Sequence, residues 1–249
     1  MIVTLQLVNA ALTLLFGILA TLAWRRLGAE RWSKTQAGWL LTGACFLLVG
    51  GFGAVHAIAS AWAVRVGRDS LLYQLLAEWG PAGNIGREAG VAAYGVMLAT
   101  LVGAPAERVR QVAAGGLWVI GATTVGGTAA AALYGPIDTH THMTTLAVLA
   151  TAAVLALLLS LLIGVMNDGM DLLLWLAVAA HTIKEALVVS LMAILAWWDS
   201  ARAFEAALIF YWINVAVAVV ASDLGRAIEN RHVPALFERL HALRRPAES

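Results

Sequence analysis

Residues 143–166 read MTTLAVLATAAVLALLLSLLIGVM, a run without a single charged side chain. As a helix rising 1.5 Å per residue it would be about 36 Å long, enough to cross the roughly 30 Å of hydrocarbon in a bilayer. The rest of the chain has the same character. Of its 249 residues 61% are hydrophobic and only 12% charged, against roughly 25% charged residues in ordinary soluble domains. A water-soluble fold of this size cannot hide that much apolar surface, so the segment is read as a membrane span.

Six further runs have spanning character, giving spans at 2–24, 37–64, 89–104, 112–134, 143–166, 172–198 and 204–222. The expected fold is therefore all-α: a polytopic membrane protein of seven transmembrane helices. Breaks fall on turn-forming residues: 25–36, the sequence Gly80-Pro81-Ala82-Gly83-Asn84, Pro105, Tyr134-Gly135-Pro136 and Asn167-Asp168-Gly169. With these boundaries no proline lies well inside a span. The first run lacks a basic leader and is followed by Arg25 and Arg26, so it reads as a retained span, not a cleaved signal.

Basic residues set the expected orientation. Arg25, Arg26, Arg31, Lys34, Arg108, Arg110 and the arginines after span seven would share one side. By the positive-inside rule that side is the cytoplasm, which puts the N-terminus outside and the C-terminus inside. A bacterial inner membrane is the expected location. Residues 1–228 form the membrane domain and 229–249 a cytoplasmic tail, in which PALFERLHAL (234–243) has the spacing of a short amphipathic helix on the membrane surface. A net charge of +1 gives no reason to expect nucleic acid. The lone Cys45 reads as a small packing residue.

Against this background the stretch 179–187, AAHTIKEAL, stands out, because it places His181, Lys184 and Glu185 inside span six. A charge at the bilayer centre costs from about 2.5 to more than 10 kcal/mol, so ionisable residues there mark a function unless they only tie helices together. The bounds of the span put Lys184 and Glu185 at its centre. His181 lies three and four residues before them and so shares a face with each. Lys184 and Glu185 point about 100° apart on a helix and are expected to be poor partners for each other. Tyr211 and Asn214 of span seven fall at the same depth and are expected to complete a ligand or proton site.

A second polar group is expected nearer the outside. It comprises His56 in span two, Glu88 at the opening of span three, and Asp138, His140 and His142 in the loop PIDTHTH. Histidine with carboxylate is a ligand set for zinc, iron or copper, so a metal or haem is carried as an alternative cofactor at these residues. A single haem clamped by His56 and His181 meets a depth mismatch of roughly 16 Å. The octapeptides around these two histidines, AVHAIASA (54–61) and AAHTIKEA (179–186), share four residues, but alanine is common throughout the chain. Nothing resembles a phosphate loop, a serine nucleophile elbow or a paired-cysteine motif.

Three functions fit these residues. The first is a carrier or ligand-binding protein with an outward-accessible polar site at mid-membrane on helix six, proton-coupled through histidine and lysine. The second is a sensor subunit binding a small ligand or pigment and signalling to a membrane or cytoplasmic partner protein through the tail. The third is a metal- or haem-containing membrane enzyme or electron-transfer subunit. The lipid bilayer is the expected partner in all three, and glycine pairs such as Gly50-Gly51, Gly115-Gly116 and Gly126-Gly127 offer small faces for helix association, including a homo-oligomer.

Overall fold

The computed structural model describes residues 2–26, 32–67, 69–135, 137–167 and 172–197, which form helices joined by short turns, with no strand among them. The helices are α1 (Ile2–Arg26), α2 (Lys34–Val66), α3 (Leu71–Gly103), α4 (Val109–Leu133), α5 (Thr139–Asn167) and α6 (Leu172–Trp197), with a 3-10 turn at Ala106–Arg108 before α4. Four stretches are long and apolar enough to cross a membrane: Lys34–Val66, Leu71–Gly103, Ala106–Leu133 and Thr139–Gly164. In α1 the apolar stretch is shorter, Ala10–Leu22. The expected seventh span at 204–222, the tail helix and the C-terminus lie outside the described residues.

Helix starts follow the local chemistry. The Ser33 hydroxyl accepts from the Gln36 amide at 3.1 Å to open α2, and the Ser70 hydroxyl accepts from the Tyr73 amide at 3.2 Å to open α3. Between α2 and α3, Gly67 takes φ 95°, a left-handed conformation that costs glycine little, and its amide closes α2 on the Ala63 carbonyl. Lys34 closes the other end of the pair, its Nζ donating to the Val102 carbonyl at 2.5 Å, where the last carbonyls of α3 have no helical partner.

One expected boundary is overturned. Gly80 to Asn84 is not a turn: α3 is continuous from Leu71 to Gly103, 33 residues with Pro81 inside, and so about 50 Å long. Proline costs a helix one backbone hydrogen bond, whereas breaking the helix in hydrocarbon would orphan several amides and carbonyls, so the helix persists. The third span therefore starts 18 residues before the expected 89, and a proline does lie within a span.

α1 packs along α2, while α3 lies against α2, α4 and α5; α6 packs on α5 and touches α2. The centre is lined by Leu41, Cys45, Val91, Tyr94, Leu157 and Val178, all essentially inaccessible. Large apolar side chains also cover the outside, among them Val55, Trp118, Leu155 and Leu162. In water such a surface would aggregate; in lipid it costs nothing, and association then depends on close backbone approach.

Glycine supplies that approach. A Cβ on Gly86 would meet the Thr128 amide nitrogen at 2.7 Å, and one on Gly90 would collide with the Thr124 hydroxyl, so the Gly86-Arg87-Glu88-Ala89-Gly90 face seats α3 on α4. Gly50 likewise packs on Leu14, whose amide nitrogen a Cβ at that position would meet at 2.8 Å, and Gly116 packs on Leu41. Of the glycine pairs noted in the sequence, only one member of each makes such close contact: Gly51, Gly115 and Gly126 face open space. Gly86→Leu should destabilise the purified protein by about 1–3 kcal/mol, read as a lowered thermal midpoint in detergent. Gly115→Leu should stay within about 0.5 kcal/mol of the parent.

Candidate functional site

The longer α3 redraws the site. With α3 running from Leu71 to Gly103, Arg87 and Glu88 lie at its middle, and Lys184 and Glu185 lie at the middle of α6. Glu88 therefore does not belong to the outer group. Its carboxyl is buried and interacts electrostatically with that of Glu185, and α3 and α6 also meet through the rings of Tyr94 and His181. On α6, His181 and Glu185 share the inward face, 4% and 0% exposed, with the histidine Nε2 3.6 Å from the glutamate Oε1. Ile183, on the opposite side, is 57% exposed.

Lys184 corrects the expectation drawn from ideal helix angles. Its Nζ lies 3.4 Å from Oε1 of Glu185, because a four-carbon stem can swing around the helix from a flanking position. On α3 the Arg87 Nη2 stands 3.5 Å from Oε1 of its neighbour Glu88. At these distances both pairs are charge contacts with weak hydrogen-bonding character. Glu88 Oε2, both carboxyl oxygens of Glu185 and both ring nitrogens of His181 have no hydrogen-bond donor or acceptor among the described residues. Buried groups left in that state are rare and call for an explanation.

The surroundings of the cluster were not expected from the sequence. The His181 ring is packed edge-on by Phe46 at 4.6 Å and by Tyr94 at 6.1 Å between centroids. Tyr94 is itself fixed by a 2.9 Å hydrogen bond to Thr42, whose hydroxyl also reaches the Gly38 carbonyl. The buried Cys45 thiol lies within electrostatic reach of Lys184, Glu185 and Glu88. The Arg87-Glu88 doublet becomes a signal only when α3 is drawn at full length, which puts both residues at the middle of the helix.

Of the outer residues, His56 is partly buried with its ring against Gly80. It lines a cavity of about 230 Å³ between α2 and α3, together with Phe52, Trp79, Asn84, Arg87 and Thr128. His140 and His142 lie in the first turn of α5 and not in a loop as the sequence suggested, and being two apart on a helix they face different ways, His142 buried and His140 exposed. Arg87 is within electrostatic reach of both His56 and His142. Among the described residues no three His, Cys, Asp or Glu side chains come together as a metal-holding group. Tyr211 and Asn214 lie outside the described residues.

Asp138 has a structural assignment. Its carboxylate accepts the Thr141 amide at 2.9 Å and the Thr141 hydroxyl at 2.5 Å, the geometry of a cap at the start of α5. These bonds, the hydroxyl first and the amide second, hold the Asp138 carboxyl below the usual carboxylate range.

Helices of this length and composition place the chain among helical integral membrane proteins. No protein-family model matches it, and no curated protein or solved structure is significantly similar to it.

Two measurements follow. A depressed carboxyl stabilises the fold above its unfolded value, about 3.9 for aspartate, and that support is lost as pH falls through the folded value. An NMR titration of Asp138 should therefore give a midpoint below about 3.9, and Thr141→Val should raise it. A midpoint at the ordinary value in the parent would remove the cap. At the second position, Thr42→Ala leaves the buried Tyr94 hydroxyl unpaired and should cost about 1–3 kcal/mol, whereas Tyr94→Phe should cost less; thermal midpoints of the two variants decide the order.

Proposed function

We propose that the protein is a carrier, or a solute-binding protein of the same build, that receives a small polar solute in a mid-membrane site formed by α3 and α6. One observation carries this reading: Arg87, Glu88, His181, Lys184 and Glu185 meet at the centre of both helices, in surroundings that are otherwise apolar. Tying two helices together needs a single hydrogen-bonded pair. Five ionisable groups with several unsatisfied oxygens and nitrogens are a costly way to do so, and intramembrane charge of this kind is usual on substrate and proton pathways.

The route is supported by the neighbouring cavity. It lies in the part of the α2–α3 hairpin remote from Lys34 and Arg108, and Arg87 belongs both to its lining and to the charged cluster. Under the seven-span topology, with the N-terminus outside, the positive-inside rule makes that part the outer one. A solute would enter past His56 and Asn84, and span seven would add Tyr211 and Asn214. Clamping one haem iron between His56 and His181 is disfavoured. Phe46 packs on His181, and His56 lies ten residues farther along α2, about 15 Å away.

Uptake by reconstituted vesicles tests the reading, with amino acids, carboxylates and inorganic cations offered singly across an imposed pH gradient. At least one class should accumulate, and Lys184→Ala and Glu185→Ala should each reduce the rate by tenfold or more, about 1.4 kcal/mol, while remaining folded in the membrane. Full uptake by both variants, or no solute moved by the parent protein, would exclude it.

A further inference from the structure

The two glutamates pose a problem of hydrogen-bond accounting that the carrier reading leaves open. An ionised carboxylate can only accept hydrogen bonds, yet Glu88 and Glu185 interact with each other where α3 meets α6, beside the Tyr94–His181 ring contact of 6.1 Å between centroids. Glu88 is 5% exposed and Glu185 is not exposed at all. Oε2 of Glu88 and both carboxyl oxygens of Glu185 find no donor among the described residues. The sequence-adjacent cations do not resolve this, since Arg87 reaches only Oε1 of Glu88 and Lys184 only Oε1 of Glu185, each as a loose contact. A single proton between the carboxyls resolves it: one becomes a donor, the other its acceptor, and the mutual repulsion of two buried carboxylates disappears.

We infer that Glu88 and Glu185 together form one proton-binding site, a carboxyl–carboxylate pair bridging α3 and α6 that is loaded and emptied through the cavity lined by Arg87. The ligand is a proton. Binding forms one O–H bond on either glutamate, with the other carboxylate accepting from it; release returns the proton to water in the cavity and leaves both glutamates ionised. The groups facing the pair come from four helices. They are Arg87 and Tyr94 on α3, His181 and Lys184 on α6, and Cys45 on α2, with His56 of α2 and His142 of α5 one step away around Arg87. Arg87 and Lys184 flank the two carboxyls from opposite helices, so when the proton leaves, each carboxylate keeps one cation beside it. Such an arrangement lowers the cost of the empty state and allows exchange, where an isolated buried acid pair would hold its proton permanently.

The pair lies between α3 and α6, two helices otherwise joined chiefly through α5 and α2. Loading the proton would draw them together at mid-membrane, and unloading would push them apart. This mechanical consequence rests on the carrier reading of the same site; the proton site itself does not.

Infrared difference spectroscopy of the full-length protein in lipid nanodiscs tests the pair directly. Over a pH titration the parent protein should gain and lose the carbonyl stretch of one protonated carboxyl. Glu88→Gln and Glu185→Gln should each abolish that band, because the remaining acid has no partner carboxylate, while Asp138→Asn should leave it intact. No titrating band in the parent protein overturns the inference irrespective of how the variants fold. So does a band that survives both glutamine substitutions. Displacement of the band by sodium ions at constant pH would instead identify a metal-cation site and overturn the assignment to a proton. A band that behaves as expected in a protein that moves no solute would keep the proton site and remove the carrier.

Discussion

Backbone hydrogen bonding in hydrocarbon is the constraint on which the rest of this structure depends. Water competes for amides and carbonyls in a soluble protein and makes a Gly-Pro-Ala-Gly-Asn segment a ready turn. In lipid the same segment keeps its helix, since every amide released would have nowhere to go. α3 accordingly runs unbroken through Pro81. This continuity moves Arg87 and Glu88 from a membrane boundary to the middle of the bundle, where Glu88 meets Glu185.

The glycines of α3 serve the same arrangement. Gly86 and Gly90 bracket the charged doublet on the face toward α4 and bring the two backbones close. The helix is thereby held by packing on one side, while Glu88 is directed at α6 on the other. Around the cluster, Phe46 and Tyr94 pack on His181 and Thr42 fixes Tyr94, so the charged groups lie in surroundings that screen charge less than water does. The five ionisable groups are thus organised by apolar and small residues that carry no chemistry themselves.

Some residues that look chemical in the sequence are structural in the fold. Asp138, which stands beside two histidines in the sequence, caps α5 through Thr141. His140 and His142 diverge because consecutive odd or even positions on a helix face different ways, and only His142 is buried. Cys45 is buried in the hydrophobic core as expected, within electrostatic reach of the charged cluster.

Composition and apolar run length alone show a helical membrane protein, and they also pick out one half of its buried charged cluster. Apolar runs of spanning length can be read directly, because transfer into lipid depends on composition more than on partners. Five of the expected helix positions agree with the structure to within a few residues. His181, Lys184 and Glu185 were legible for the same reason, as charge where charge is expensive. The other half came from helix packing: Glu88 interacts with Glu185, Lys184 reaches around to it, and Arg87 links the cluster to a cavity. Those facts depend on where α3 begins and on which helix faces meet. Local turn chemistry misjudged the first, and no spacing rule within one helix can give the second.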